Sequence, residues 1–375
     1  MKPARFLLVN QFLPPDPAPT ARLLGEVAEE LGKRGHEIVF VGDQAAYRGG
    51  KTLCGSRALR EGLALVRLWR KTVTAPRCDV LVCLSSPPLL PVAVRAAAFR
   101  HGRASLVHWA MDLYPEVAVA LGEVRAGSLL HRITARAMER VCSACAFVIA
   151  LDPDMAERIG PRRARVETIP PWPPEVTIPE KVARAEQAPF VWLYSGNLGR
   201  AHEWRTLLEA QKGLEEAGAE IDLVFQGGGP ERDAARRHAE VLGLRRCHWR
   251  EYAPETDLLG SLLSADALVV TQRPETIGCL WPSKLALALL SGRPVIWVGA
   301  SAGSIAAQVR REGHHAFAPG ESEALRQCLQ NLAHEHSLRP PTTDLEQIRH
   351  RVRETRQRGI SHVADRLESL VRPDR

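Results

Sequence analysis

The chain has 375 residues, 45% hydrophobic and 25% charged, with a formal net charge of +7. That length exceeds one ordinary core and suits two domains, and the composition is that of a globular protein, which excludes disordered, collagenous and solenoid classes. No apolar run approaches the roughly 20 residues a bilayer crossing needs, and residues 1–10 lack the charged flank and cleavage site of an export signal, so a cytoplasmic protein not integral to a membrane is expected.

The charge is uneven. Residues 1–170 carry 24 Lys and Arg against 16 Asp and Glu, and the remainder 26 against 27. A basic first half beside a neutral second points to an anionic surface, either acidic lipid headgroups touched peripherally at the inner face of a membrane or a phosphorylated substrate. Nucleic acid fits less well, because the basic residues interleave with apolar helix positions and no motif of that class occurs. Of eight cysteines only Cys142 and Cys145 have a metal-like spacing. Without a second pair or a histidine cluster they predict reduced thiols and no metal site.

In chain order, residues 6–9 read as a buried strand and 10–19 as a proline-rich loop. Thr20 is expected to cap a helix in which Leu23, Leu24, Val27, Ala28 and Leu31 repeat at helical spacing, and Gly35 closes it before a strand at 37–41. This is a βαβ unit, and a parallel sheet binds ligands at the carboxyl ends of its strands, so the loop bearing Gln11, Pro15 and Thr20 lies where a ligand would. It has no G-x-G-x-x-G fingerprint, which argues against a dinucleotide. Over 56–73, Leu59, Leu63, Val66 and Trp69 share a helix face bordered by Arg57, Arg60, Arg67, Arg70 and Lys71. Two readings fit: a helix lying on an anionic membrane, or a core-packed helix with a solvated basic side whose apolar face Leu65 and Leu68 widen.

Strands follow at 80–84, ending in S-S-P-P, and at 106–109, leading into M-D-L-Y-P-E. Asp112 stands just past a strand end, where its carboxylate either reaches a bound hydroxyl or caps the next helix. His108, inside the strand, reads as structural. After a strand at 147–150 and a helix begun by Asp152, the run V-E-T-I-P-P-W-P-P-E ends the first domain at residue 170 and opens a linker over 171–187.

A strand at 190–194 runs into S-G-N-L-G-R-A-H, followed by a helix over 203–217. The glycines either let backbone amides approach a diphosphate or serve an ordinary tight turn. Further strands at 221–225, 247–249 and 267–270 alternate with helices, the first ending in G-G-G-P. The stretch W-P-S-K-L-A-L-A-L-L-S-G-R-P-V-I-W-V then reads as loop, helix and buried strand. Pro282 and Ser283 start the helix, and Lys284 adds a charge to an anion-favouring helix start. Helices are expected over 321–336 and 344–370.

The strings Y-S-G-N-L-G-R-A-H, P-S-K-L with S-G-R-P-V-I, D-L-Y-P-E and P-P-D-P-A-P-T-A-R-L-L-G-E resemble the bacterial group 1 glycosyltransferases, retaining enzymes of the GT-B kind, in particular a fucosamine-transferase-like branch. The resemblance spans nearly the whole chain. It implies an α/β fold of two doubly wound Rossmann-like domains facing a cleft: residues 1–170 on the acceptor side, 171–187 a linker, 188–342 for the nucleotide-sugar, and 343–375 a helix returning to the first domain. The implied activity moves a hexosyl or N-acetylaminosugar from a nucleotide-diphosphate sugar, expected to be a UDP-sugar, to an acceptor hydroxyl with retention, in cell-surface polysaccharide or glycolipid synthesis. Neither cofactor nor metal is implied, no D-x-D motif occurs, and the acceptor would be lipid-linked or a carbohydrate.

Carried onto this sequence, donor binding falls to Gly196, Asn197, Gly199, Arg200, His202, Gly227, Gly228, Arg250, Tyr252, Ser283 and Lys284, with Gln11, Pro15, Thr20 and Glu116 on the acceptor side and Asp112 as the catalytic carboxylate. The chain also departs from the family. Asn197 and His202 stand where distant relatives have an arginine and a lysine, so Arg200 is the expected cation. Two glutamates usual eight residues apart fall on Cys279 and Leu287, leaving Glu275 as the candidate for the ribose. A non-catalytic nucleotide-sugar-binding or assembly subunit on the same fold is therefore the competing reading, and a sugar-nucleotide epimerase a third.

Overall fold

A computed structural model describes residues 3–43, 57–162, 164–180, 188–338 and 343–371. Residue 56 of the expected basic helix and residues 181–187 of the expected linker lie outside the described residues. The chain forms two compact units: residues 1–172, 278–281 and 356–375 make the first, and 173–277 and 282–355 the second. The first division falls after Trp172, beside the boundary expected at 170. The final helix is divided between the units, with residues 343–355 in the second, and a four-residue excursion at Gly278–Trp281 joins the first.

In the first unit the chain runs β1 (Arg5–Val9), α1 (Pro19–Lys33), β2 (Glu37–Val41), α2 (Arg57–Thr74), β3 (Val80–Cys83) and α3 (Leu90–Ala97). It continues through β4 (Ser105–Trp109), α4 (Glu116–Ala120), α5 (Leu129–Ala144), β5 (Phe147–Ala150), α6 (Pro153–Ile159) and β6 (Val166–Thr168). All strands are parallel, in the order β2-β1-β3-β4-β5-β6. Cores fill both faces, one around Phe6, Leu24, Trp109 and Phe147 and the other around Leu7, Leu68, Leu81 and Val94. Burial on both faces is why β1, β3 and β5 read as unbroken apolar runs.

Three sequence expectations change here. Ala18, not Thr20, is the N-cap of α1, because Pro19 with its fixed φ begins the helix; Asp16 Oδ1 accepts the Ala18 amide at 2.8 Å, and the Thr20 hydroxyl accepts from Asn10 Nδ2 at 3.2 Å. In α2 the residues facing the sheet are Ala64, Leu68 and Thr72, while Leu59, Leu63, Val66 and Trp69 point outward, so the core-packed reading of that stripe fails. Finally, Val166–Thr168 is an edge strand hidden in what read as the domain's end, too short to be seen ahead of its prolines.

The second unit contains β7 (Phe190–Ser195), α7 (Arg205–Glu216), β8 (Ile221–Gln226), α8 (Arg232–Val241), β9 (Cys247–Arg250), α9 (Leu258–Leu263) and β10 (Ala267–Thr271). It goes on through α10 (Lys284–Leu290), β11 (Val295–Val298), α11 (Ser304–Arg311), β12 (His315–Phe317) and α12 (Ser322–Leu338), and α13 (Leu345–Glu368) closes the chain. Its parallel sheet has the order β12-β11-β10-β7-β8-β9, so the strand order reverses between β7 and β10. In the first unit the reversal lies between β1 and β3. Ligand crevices of such sheets open at those points, outside the carboxyl ends. No helix among the described residues is long and apolar enough to cross a membrane.

Candidate functional site

At the switch point of the second unit two glycine loops close on each other. The Gly196 amide donates to the Gln226 carbonyl at 2.8 Å, Leu198 to Gly228 at 2.7 Å and Gly227 to Arg250 at 3.0 Å. Gly227 has φ +126°, and a Cβ there would lie 2.3 Å from the Gly196 oxygen, so no other residue fits so close a crossing. The amides of Gly196, Leu198 and Gly227 are thus spent on holding the two loops together.

The loops also hold a half-buried cation. Lys284 Nζ donates to the Tyr194 hydroxyl and to the Asn197 carbonyl at 3.3 Å, and sits 3.9 Å from the centre of the Tyr194 ring. Its Cε would lie 3.3 Å from a Cβ on Gly196, so the lack of a side chain at that glycine leaves room for the lysine. The Tyr194 hydroxyl in turn donates to the Asn197 carbonyl at 2.9 Å. Burial lowers the Lys284 pKa to about 7 and raises that of Tyr194 well above its ordinary value. Tyr252 leans over Gly228, its hydroxyl 3.4 Å from Asn197 Oδ1. Arg250 takes part through its carbonyl, which accepts from Gly227. Ser283 makes no side-chain cap bond, since it is itself helical and exposed, and α10 is only seven residues long. The site's positive charge therefore resides on Lys284 rather than on a capped helix start.

Next to this cluster lies a pocket of about 330 Å³ lined by Arg200, His202, Trp204, Arg205, Arg273 and Glu275, among others. His202 Nδ1 is 2.7 Å from the Thr271 carbonyl. A carbonyl only accepts, so Nδ1 carries the proton and Nε2 presents a lone pair. Burial, reinforced by the Lys284 charge, lowers the His202 pKa to about 3. The imidazole is therefore neutral and cannot replace a lysine against a diphosphate, though it can accept from a sugar hydroxyl. Glu275 is exposed in a turn after β10, 3.5 Å from Arg273. Sequence reasoning missed Tyr194, Trp204, Arg205 and Arg273; the tyrosine at the strand end just before S-G-N-L-G was the available signal.

In the first unit Asp112 follows β4. It does not cap α4, whose N-cap is Pro115. Instead the segment is pinned from two sides. The Ser85 hydroxyl accepts the amides of Met111 and Asp112 at 3.0 and 3.3 Å, the Leu113 amide donates to the Cys279 carbonyl at 2.7 Å, and Asp112 bridges Leu280 in antiparallel fashion. Desolvation raises the Asp112 carboxyl to about 6. Gln11 joins the neighbouring loops, donating its amide to the Ser86 carbonyl at 2.8 Å and accepting that of Asp43 at 3.0 Å. Pro15 is exposed beyond it, and Glu116 opens α4. His108 is buried with Nδ1 3.1 Å from the Cys83 carbonyl. Cys279 and Leu287, at the expected glutamate positions, are both core residues. Among the described residues no group of three His, Cys, Asp or Glu side chains is arranged to hold a metal.

No family model and no curated protein matches the sequence. Solved structures do. A sucrose-phosphate synthase from Thermosynechococcus elongatus superposes with a TM-score of 0.72 at 14% identity, covering 98% of this chain and 99% of its own. The catalytic domain of starch synthase IV from Arabidopsis thaliana, bound to ADP and acarbose, gives 0.63 at 9% identity and 99% coverage of both. WaaG, a glycosyltransferase involved in lipopolysaccharide biosynthesis, gives 0.59 at 16%, covering 97% and 99%. With its two six-stranded parallel sheets, the chain has the two-domain Rossmann-like α/β fold of these glycosyltransferases, GT-B.

Proposed function

We propose that the protein is a glycosyltransferase that moves a sugar from a nucleotide-diphosphate sugar, a UDP-sugar in the first instance, to an acceptor hydroxyl with retention, in cell-surface polysaccharide or glycolipid synthesis. The observation that carries this reading is Lys284, a half-buried cation packed against two interlocked glycine loops at the switch point of a Rossmann-like sheet. A diphosphate binding there meets a desolvated ammonium, whose pull on the charge of the leaving group grows as water is excluded. Neutral His202 and the neighbouring pocket suit the sugar hydroxyls. In the first unit Asp112 would take the proton of the acceptor hydroxyl, a role for which a carboxylate raised toward neutrality by burial is better matched than an ordinary one.

The family resemblance of the sequence and the fold of the solved transferases support the assignment. Calorimetric titration against a panel of nucleotide-diphosphate sugars, with the anomeric configuration of any product read by NMR, tests it. The expected outcome is binding followed by transfer or donor hydrolysis with the donor's configuration kept. Binding without turnover over long incubation would instead leave a nucleotide-sugar-binding subunit.

A further inference from the structure

Helix α2 carries two apolar stripes where a crossover helix needs one. Ala64, Leu68 and Thr72 bury the first against the sheet. The second, Leu59, Leu63 and Val66, is half or more exposed, with Trp69 at its end. Helix α5 repeats the pattern: Met138, Val141 and Cys142 are buried, and Leu129, Leu130 and Ile133 in its first turns are 56% to 75% exposed.

Topology brings the two stripes to one end of the unit. Helix α3 packs against both α2 and α5, so all three cover the same side of the sheet. Arg67 bonds Asp43 at 2.7 Å and Lys71 reaches the Gly42 carbonyl at 2.6 Å, the two residues directly after β2. The middle of α2 is therefore level with the carboxyl end of the sheet. Its first two turns, bearing Leu59 and Leu63, stand beyond by about 10 Å at 1.5 Å per residue. Helix α5 ends shortly before β5 begins, and its 16 residues span about 24 Å against about 15 Å for the strands it links. Its first turns likewise overhang the carboxyl end, the end at which Asp112 follows β4.

We infer that these two overhanging tips are the surface by which the first unit docks on an anionic lipid bilayer. The charge around them argues for that occupant. Helix α2 holds five Lys and Arg against one Glu, α5 three Arg against one Glu, and Arg70, Arg132 and Arg136 are exposed beside the apolar side chains. Convex aliphatic tips ringed by cations, with a tryptophan at the border, are the composition of an interfacial anchor. Docked in this way, the carboxyl end of the sheet faces the membrane. The acceptor would then be an amphiphile whose hydroxyl headgroup stands in the lipid surface. That last step rests on the transferase reading; the docking does not.

The test is sedimentation of the full chain with phosphatidylglycerol-containing vesicles and with pure phosphatidylcholine vesicles, without any sugar nucleotide. The wild type should favour the anionic vesicles and lose them as salt is added. The double variant Leu63→Gln/Ile133→Gln should bind them roughly tenfold or more weakly, with an unchanged melting temperature, since both positions are solvent-exposed. Arg70→Gln/Arg132→Gln should flatten the salt dependence. Equal binding to both vesicle types, or undiminished binding by the apolar variant, overturns the proposal. So does a wild-type dimer in ultracentrifugation that the apolar variant turns into a monomer, which would make the tips a surface between copies. Intact docking without transfer to any acceptor would keep this inference and remove the transferase reading.

Discussion

The two units answer the same topological problem with opposite materials. In the second, glycines let the loops after β7 and β8 cross within contact of each other, and a lysine side chain is packed on the crossing. In the first, the loop after β1 is rich in proline, its closure comes from backbone bonds at Gln11, and the buried ionisable group is an acid. Burial acts on both groups in the same sense, toward the neutral form, so Asp112 rises to about 6 and Lys284 falls to about 7. The two groups do not occupy equivalent positions: Lys284 follows β10, the strand beside β7, whereas Asp112 follows β4, one strand further from β1, so each sheet places its ionisable group independently.

Asp112→Asn is the most severe way to break the contrast. It should lower the transfer rate by about 10²-fold to 10⁴-fold, the usual share of general-base catalysis, while nucleotide affinity and melting temperature hold. In the wild type the rate should climb as pH rises through about 6, because the carboxylate must be free to accept a proton, and then level. That climb should vanish in the variant; a near-normal rate removes Asp112 from the mechanism.

The glycine crossing is tested by Gly227→Ala. It places a methyl group against the Gly196 carbonyl at a φ that alanine avoids and should cost about 2–4 kcal/mol in denaturant unfolding. Gln11→Ala keeps the backbone bonds of the first unit and should cost under about 0.5 kcal/mol. Equal costs would mean that the two crevices are not built differently.

Lys284→Ala should weaken nucleotide-sugar binding by about 1.5–3 kcal/mol by titration, the scale of a charge-assisted hydrogen bond. The pH dependence sharpens this. A sugar-capped diphosphate has no proton of its own to lose near neutrality, and it favours the charged lysine. Below pH about 7 the ammonium is already present, whereas above it binding must take up a proton, so affinity should fall by up to about tenfold per pH unit. The alanine variant should show a flat profile; a slope that persists assigns the proton elsewhere. Arg200→Ala should have the smallest effect, about 0.2–1 kcal/mol, because its side chain is exposed and screened. A loss as large as that of Lys284→Ala would move the diphosphate into the pocket lined by Arg200.

Periodicity and chain order were enough for the alternation of strand and helix, the two Rossmann-like units, the glycine loops and the position of Asp112 after a strand, because each depends on neighbours within a few residues. Short elements without a full period, such as β6 and β12, did not stand out. The helix α2 illustrates the limit: its composition holds two apolar stripes, and only packing against Leu81 and Leu90 decides that Leu68 faces in and Leu63 faces out. The same holds at the site. That Lys284 packs on Tyr194, that His202 is neutral, that the Gly196 and Gly227 amides are already spent, and that Gly278–Trp281 is pinned beside Asp112 are consequences of contacts between segments distant in sequence. Solvation and tautomer depend on which atoms are brought within a few ångströms, and that is a property of tertiary structure, which no local pattern encodes.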